Sequence, residues 1–450
     1  MEKKRWIRLD NASNIFLAAR NEVDTKVFRF SAHLTEAVDP ASLQKALVKT
    51  YEAYPLFQNV LRRGVFWYYL EQTDQIPYIQ TETSPPCRAI YHYDRKELLF
   101  RVIYSQNRIH IEVFHALTDG TGAMWFFEDL ITEYTRLRHP EAFDREAKTS
   151  PREKQDLEDS FNRYFKKKKK RRDWIPSRKP FEEAYEQADD IDKNLQPYEE
   201  QPKQKRVHRV KGTKTPDQRP RIIEMTAPVK EVLKLAKSQQ VSLTLYLTAI
   251  FMIAVYEGIE DKQEEETVTV SIPVNLRQFY PSFSARNFFS TTLMAYTFKK
   301  DQPADIQDIC QVIDQQLKKE LQPEAIERRL KRFIGFEFHP AVRVVFRPVK
   351  DLVLKMVSLH TNRKITVAMS NLGRLALPEQ VEPYVTNINF YTAVVRPQFC
   401  VNSYRDTLNI LFTSPFVEMD IQRRFIRHLT QAGVPVQVDV NKVTKEEFEQ

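Results

Sequence analysis

The spacing of apolar positions changes period at one point in this chain, and the change frames a turn. Ile109, Ile111 and Val113 alternate with His110, Glu112 and Phe114, the period-two pattern of a strand. His115 falls in phase with the apolar set, which predicts that its side chain points inward beside Ile111 and Val113. Residues 98–104 form a second strand-like run, and 105–108 between the two read as a hairpin turn. After Gly120 the period becomes helical: Ala123, Phe126, Phe127, Leu130, Ile131, Tyr134 and Leu137 fall on one face. Thr118, Asp119 and Thr121 are the candidate caps of that helix. Trp125, Phe126 and Phe127 read as its core positions.

Continued along the chain, the same pattern divides it into three parts. Residues 1–150 form a first unit, with a helix starting at Asp39-Pro40 and strands leading to the His115 turn. Residues 151–221 are charged and poor in aliphatic side chains, and read as a crossover linker with short helical pieces at 161–168 and 181–187. Residues 222–450 form a second unit. It opens with a surface helix at 228–238 and a buried one at 242–257 capped by Ser242. Strands follow at 267–273, 291–298, 365–369, 388–395, 399–403 and 408–413, and helices at 305–330, 342–359 and 421–432. The fold class is α+β, with two similar subdomains. The irregular alternation of strands and helices, with no Gly-x-Gly-x-x-Gly and no phosphate-loop motif, argues against a dinucleotide or kinase-type site.

Composition narrows the function further. The net charge of +9 over 450 residues is concentrated in 151–221, which hold 21 basic and 14 acidic residues. The basic run is Lys166, Lys167, Lys168, Lys169, Lys170, Arg171 and Arg172. A run in a loop is a solvated segment, with peripheral membrane contact or a phosphorylated ligand as its functional alternatives. It lacks the interleaved exposed aromatics of a nucleic-acid surface, so no nucleic-acid partner is expected. The three cysteines, Cys87, Cys310 and Cys400, are widely spaced and odd in number, which fits free thiols in a reducing, cytoplasmic setting. The histidines show no metal-ligand spacing, so no metal is expected. No signal peptide is read at the N-terminus, and the apolar run at 243–256 is shorter than the roughly 20 residues of a membrane span.

The candidate chemistry lies in Phe114-His115-Ala116-Leu117-Thr118-Asp119-Gly120, where a strand ends, a short turn carries His and Asp, and a helix begins. Only eight glycines occur in the chain, and Gly120 and Gly122 share this turn. In the second unit, Ile272-Pro273-Val274-Asn275-Leu276-Arg277 ends one strand, Arg286-Asn287-Phe288-Phe289-Ser290 opens another, and Met369-Ser370-Asn371-Leu372-Gly373-Arg374 ends a third. Together these segments resemble the His-x-x-x-Asp superfamily of CoA-dependent acyltransferases. That superfamily includes chloramphenicol acetyltransferase, condensation domains of peptide synthetases and alcohol acetyltransferases. The resemblance runs over roughly residues 10–430, linker excepted, and is closest to the bacterial alcohol acetyltransferase-like branch. Condensation domains carry a histidine where this chain has Phe114, and the Asp-Phe-Gly-Trp-Gly motif of plant relatives is absent.

The resemblance implies two chloramphenicol acetyltransferase-like subdomains, each a two-layer α/β sandwich, with a tunnel between them. It implies a catalytic set of His115, Asp119 and Gly120, with His115 as general base. Asp119 would face away from substrate and pair with Arg277, while Asn287, Ser370 and Asn371 are candidate oxyanion or substrate contacts. Acyl-CoA is the implied co-substrate, an alcohol or amine the acceptor, and no tightly bound cofactor is expected. Two alternatives stay open: a free-standing condensation enzyme using acyl carrier-protein thioesters, and a catalytically silent binding protein of the same fold.

Overall fold

In the first half of the chain the elements are β1 (Trp6–Arg8), α1 (Asn11–Ala19), β2 (Val27–Leu34), α2 (Pro40–Glu52), β3 (Asn59–Arg63), β4 (Tyr68–Gln72), β5 (Ile79–Thr81), β6 (Phe100–Ser105), β7 (Arg108–Phe114) and α3 (Gly120–Arg138). The second half contains α4 (Ser160–Phe165), β8 (Arg221–Pro228), α5 (Val229–Ser238), α6 (Leu243–Glu257), β9 (Glu265–Asn275), β10 (Phe289–Lys299), α7 (Ile306–Glu320), α8 (Pro323–Phe338), α9 (Arg347–Asn362), β11 (Val367–Leu375), β12 (Val385–Thr392), β13 (Gln398–Tyr404), β14 (Thr407–Ser414), α10 (Asp420–Gln431), β15 (Gln437–Val440) and α11 (Lys445–Glu449). This computed structural model describes residues 5–143, 157, 159–165, 206–338 and 345–449. The basic run 166–172 and the expected helical piece at 181–187 lie outside the described residues.

The strands make three sheets. A five-stranded sheet has the order β12-β2-β7-β6-β5, a seven-stranded sheet the order β10-β9-β11-β13-β14-β8-β15, and a small sheet the order β1-β4-β3. Helices α2 and α3 cover the five-stranded sheet. Phe126 and Phe127 of α3 are fully buried, Phe127 against Phe30 of β2 and Phe126 against Phe57 and Phe100. The seven-stranded sheet packs on α6, apolar on all sides and buried along most of its length as its sequence predicts, together with α7 and α10. Asp39 caps α2 and Ser242 caps α6, each accepting from a backbone N–H of the first turn.

Four features depart from the sequence reading. Strand β12 belongs to the second unit by sequence but pairs antiparallel with β2 in the first unit's sheet, with Phe390 opposite Phe30. The buried Asn402 and Asn409 of β13 and β14 donate to the Ile388 carbonyl of β12, so the strand is tied to both sheets. The helix expected over 305–330 is two helices, because Pro323, with no N–H to continue a helix, opens a new one. Helix α1 lies before the first helix expected from the sequence, and becomes part of the site below. The fourth is a matter the sequence left open: the polar positions His110 and Glu112 of β7 are buried. Glu112 is fully buried and accepts from Arg29 Nε at 2.7 Å, Arg101 Nε at 2.8 Å and the Cys87 N–H at 2.6 Å.

Burial alone would push the Glu112 carboxyl up, but the guanidiniums of Arg29 and Arg101 outweigh it and hold the group below its ordinary 4.5. The stabilisation is therefore complete above 4.5 and is lost as pH falls through the lower folded value. Removing this carboxylate leaves the buried Arg29 with Glu82 as its one remaining carboxylate partner among the described residues and takes from Arg101 the acceptor of its Nε–H. Glu112→Ala is expected to cost about 3–5 kcal/mol in denaturant unfolding at neutral pH, whereas a loss within the range of a surface substitution would show the network to be dispensable.

Candidate active site

The site forms where β7 stops and α3 starts. The His115 N–H donates to the Lys26 carbonyl at 2.8 Å, which continues the β2–β7 ladder by one residue. Asp119 then takes an extended conformation and caps α3, its Oδ1 accepting from the Gly122 N–H at 3.0 Å. The other carboxylate oxygen, Oδ2, reaches across to the second half. It lies 2.7 Å from Arg277 Nη1 and accepts from the Phe288 N–H at 2.9 Å. Arg277 sits in a short 3-10 turn after β9, and its Nη2 donates to the carbonyls of Ser284 and Arg286. Both partners of the pair are more than nine-tenths buried. The geometry is thus that of a fixed clamp, not of an exposed ion pair.

The imidazole of His115 is held from behind. Its Nδ1 lies 3.2 Å from Asn287 Oδ1, while Asn287 Nδ2 donates to the His115 carbonyl at 3.0 Å and to Ser13 Oγ at 3.1 Å. An amide that gives its NH₂ to two oxygens presents its own oxygen to the ring, so Nδ1 carries the proton and Nε2 carries the lone pair. No hydrogen bond reaches Nε2 among the described residues, and His115 as a residue is partly exposed. Phe16 of α1 stacks on the imidazole at 4.0 Å between centroids, Phe28 meets it edge-on at 5.0 Å, and Phe289 lies tilted at 5.6 Å. Burial among these rings lowers the imidazole pKa below 6.5, against the opposing pull of its own carbonyl, Asp119 and Asn287.

The structure brings His115, Asp119, Arg277 and Asn287 together and separates the rest by role. Asn287, a candidate oxyanion donor in the sequence, has both ends of its amide committed behind the ring. Asn371 donates to Thr244 Oγ1 of α6 at 2.8 Å and accepts from the Gly373 N–H at 2.7 Å, so it shapes the bulge of β11, where Gly373 takes a positive φ of 74°. Ser370, on the same strand, is partly exposed and makes no side-chain hydrogen bond among the described residues. Leu372 of that strand carries the contact to the motif, since a Cβ on Gly120 would lie 3.0 Å from Leu372 Cδ2. Sequence reasoning missed Ser13, Phe16 and Phe28. The one available signal was Asp10 three residues before Ser13, a cap pairing that the structure shows, with Asp10 Oδ1 accepting from the Ser13 N–H at 2.8 Å.

A histidine on a strand-to-helix turn, clamped by an arginine from a second half that lends the first a strand, is the layout of the condensation-type acyltransferase fold. Solved structures agree. Trichothecene 15-O-acetyltransferase TRI3 from Fusarium sporotrichioides superposes with a TM-score of 0.59 at 12% identity, covering 95% of this chain and 94% of that one. Polyketide synthase associated protein 5 from Mycobacterium tuberculosis gives 0.57 at 13%, covering 94% and 96%. The first condensation domain of the CDA synthetase gives 0.57 at 13%, covering 96% of each chain. No curated protein matches the chain in sequence. The family model for alcohol acetyltransferase matches residues 87–408, and the chain belongs to that family. It is an acyltransferase of α+β fold.

The two glycines of the turn are under different constraints. A methyl group on Gly122 would stand 2.2 Å from the Ala285 carbonyl oxygen and 2.2 Å from Thr118 Oγ1, atoms that are themselves hydrogen-bonded. At Gly120 it meets only a leucine methyl that can rotate. Gly122→Ala is expected to lower stability by about 1–3 kcal/mol and to reduce turnover with it, while Gly120→Ala stays within about 1 kcal/mol of wild type. Equal losses in thermal unfolding of the two variants would contradict this assignment.

Proposed function

We propose that this acyltransferase moves an acyl group, acetyl in the simplest case, from a CoA thioester to an alcohol or amine, with His115 as general base. The observation that carries the reading is the contact of His115 Nδ1 with Asn287 Oδ1 at 3.2 Å, which favours the tautomer that leaves a lone pair on Nε2. In the step we propose, Nε2 takes the acceptor's O–H or N–H proton as the acceptor oxygen or nitrogen attacks the thioester carbonyl. The tetrahedral oxyanion then collapses, the C–S bond breaks, and the thiolate takes the proton from the imidazolium. Neither a metal nor a covalent enzyme intermediate enters this sequence.

Asp119 lies on the far side of the turn and serves as a positioning residue through Arg277, not as a proton carrier. For the oxyanion, the amides of Asn287 and Asn371 are engaged elsewhere, which favours the hydroxyl of Ser370 among the three candidates. Cys87, Cys310 and Cys400 are free and buried, which suits a reducing cytoplasmic setting. No helix among the described residues is long and apolar enough to cross a membrane.

Thiol release from acetyl-CoA with a panel of alcohols and amines tests the proposal. His115→Ala is expected to lose about 10²–10⁴-fold in kcat with folding retained, and Ser370→Ala about 10²–10³-fold. Full turnover by His115→Ala would remove the mechanism. Release that requires an acyl carrier protein in place of CoA would transfer the same chemistry to the condensation reading. Because the lowered pKa keeps His115 neutral further into acid, the acid limb of kcat/KM is expected to inflect below 6.5. An inflection above 6.5 would contradict the burial that the three phenylalanines impose.

A further inference from the structure

Helix α9 is turned inside out. Its inward face carries Arg347, Lys350 and Asp351, and these bind the tip of the β3–β4 hairpin. Arg347 Nη1 donates to the Gly64 carbonyl at 2.6 Å, Lys350 Nζ stands 3.4 Å over the Trp67 ring and donates to the Phe66 carbonyl, and Tyr68 donates to Asp351 Oδ2 at 2.8 Å. The outward face carries Val349, Leu352, Met356, Val357 and Leu359, with Phe346 at its N-cap, each at least half exposed. At about 100° per residue these positions share roughly 160° of the circumference. Val65 and Phe66 extend the apolar surface onto the hairpin tip, which closes on itself through a Gly64 N–H to Trp67 carbonyl bond. Helix and hairpin are therefore joined in one apolar platform.

The charge along the helix is mainly positive, with Glu22 lining the adjoining cleft. Between residues 345 and 365 there are five basic residues and a single acid, Asp351, which is bound by Tyr68 and faces Arg347. Lys355, Arg363 and Lys364 are exposed, as is Arg63 at the base of the hairpin. The surface pairs an exposed apolar face with cations along its flank. It has the make-up of a helix that lies in a bilayer interface, its apolar side chains among the acyl chains and its cations at anionic headgroups.

We propose that α9 and the β3–β4 hairpin dock this protein reversibly on an anionic lipid surface. The platform leans on α1, and a cleft lined by Leu17, Arg20, Tyr68, Tyr91, Leu352 and Lys355 lies between them. Helix α1 carries Phe16, which stacks on His115, so the docked face stands one helix away from the imidazole. The proposal does not depend on the chemistry assigned to His115. It is also distinct from lipid contact through the Lys166–Arg172 run.

The test is co-sedimentation of the full chain with extruded vesicles, either pure phosphatidylcholine or equal parts phosphatidylcholine and phosphatidylglycerol. Wild type is expected to bind the anionic vesicles at least tenfold more tightly than the neutral ones, and to be released by about 0.5 M salt. Leu352→Ser/Met356→Ser/Leu359→Ser is expected to reduce partitioning about tenfold or more with an unchanged melting temperature, since these side chains are already exposed. Lys355→Glu/Arg363→Glu should do the same on anionic vesicles, while neutralising Lys166–Arg172 should leave most of the binding in place. The proposal is overturned if the serine variant binds like wild type, if binding is lost with 166–172 alone, or if wild type ignores anionic vesicles. In that last case, self-association or capture of an acidic carrier protein through these residues would identify a protein surface instead.

Discussion

One carboxylate holds this site together. Asp119 divides its two oxygens between the halves of the molecule: Oδ1 fixes the start of α3, and Oδ2 takes Arg277 and the Phe288 N–H from the far side. Taking a carboxylate and a guanidinium out of water is costly, and further hydrogen bonds to both groups offset that cost, although Arg277 Nε finds no hydrogen-bond partner among the described residues. Arg277 supplies its share by donating to the carbonyls of Ser284 and Arg286, which fixes the segment carrying Asn287. Asn287 then sets the orientation of His115. The orientation of the ring is thus a consequence of a contact between units, made by residues 158 positions apart in sequence.

Around that clamp the imidazole sits in an unusual setting for a base. Three phenyl rings exclude water from its flanks, and burial weakens it as a base relative to free imidazole. In the reaction proposed above, a weaker base that remains unprotonated under mildly acid conditions would still match its task, because it would have to return the proton to a leaving thiolate. Phe289 reaches the ring from the second half and Phe16 and Phe28 from the first, so the apolar wall, like the ion pair, depends on both halves.

The strand, turn and helix around His115 were legible because hydrophobic period is local and changes abruptly at Gly120. So were the buried α6, apolar on all faces, and the Asp39 and Ser242 caps. The Asp119–Arg277 pairing was expected only through family resemblance, since nothing local in a sequence marks a contact between distant segments. Three features escaped the sequence for definite reasons. Nothing local in the alternation marks Glu112 as buried, yet Arg29 and Arg101 neutralise it inside the protein. Chain order assigns β12 to the second unit, whereas its hydrogen bonds assign it to the first unit's sheet. The nine residues of α1 are too few to display a period, so Ser13 and Phe16 stayed invisible although both touch the site. The outward-facing apolar stripe of α9 shows the same limit: periodicity reveals that a helix has two faces, not which of them meets water.

The central claim is that Asp119 and Arg277 act as a unit across the two halves. A double-mutant cycle of Asp119→Ala and Arg277→Ala, read in both denaturant unfolding and kcat/KM, measures it directly. The account predicts a coupling free energy of about 1–3 kcal/mol, with either single variant losing nearly as much turnover as the pair. Additive effects within about 0.5 kcal/mol would contradict it, because the two side chains would then be contributing separately and the clamp would not exist as an energetic entity.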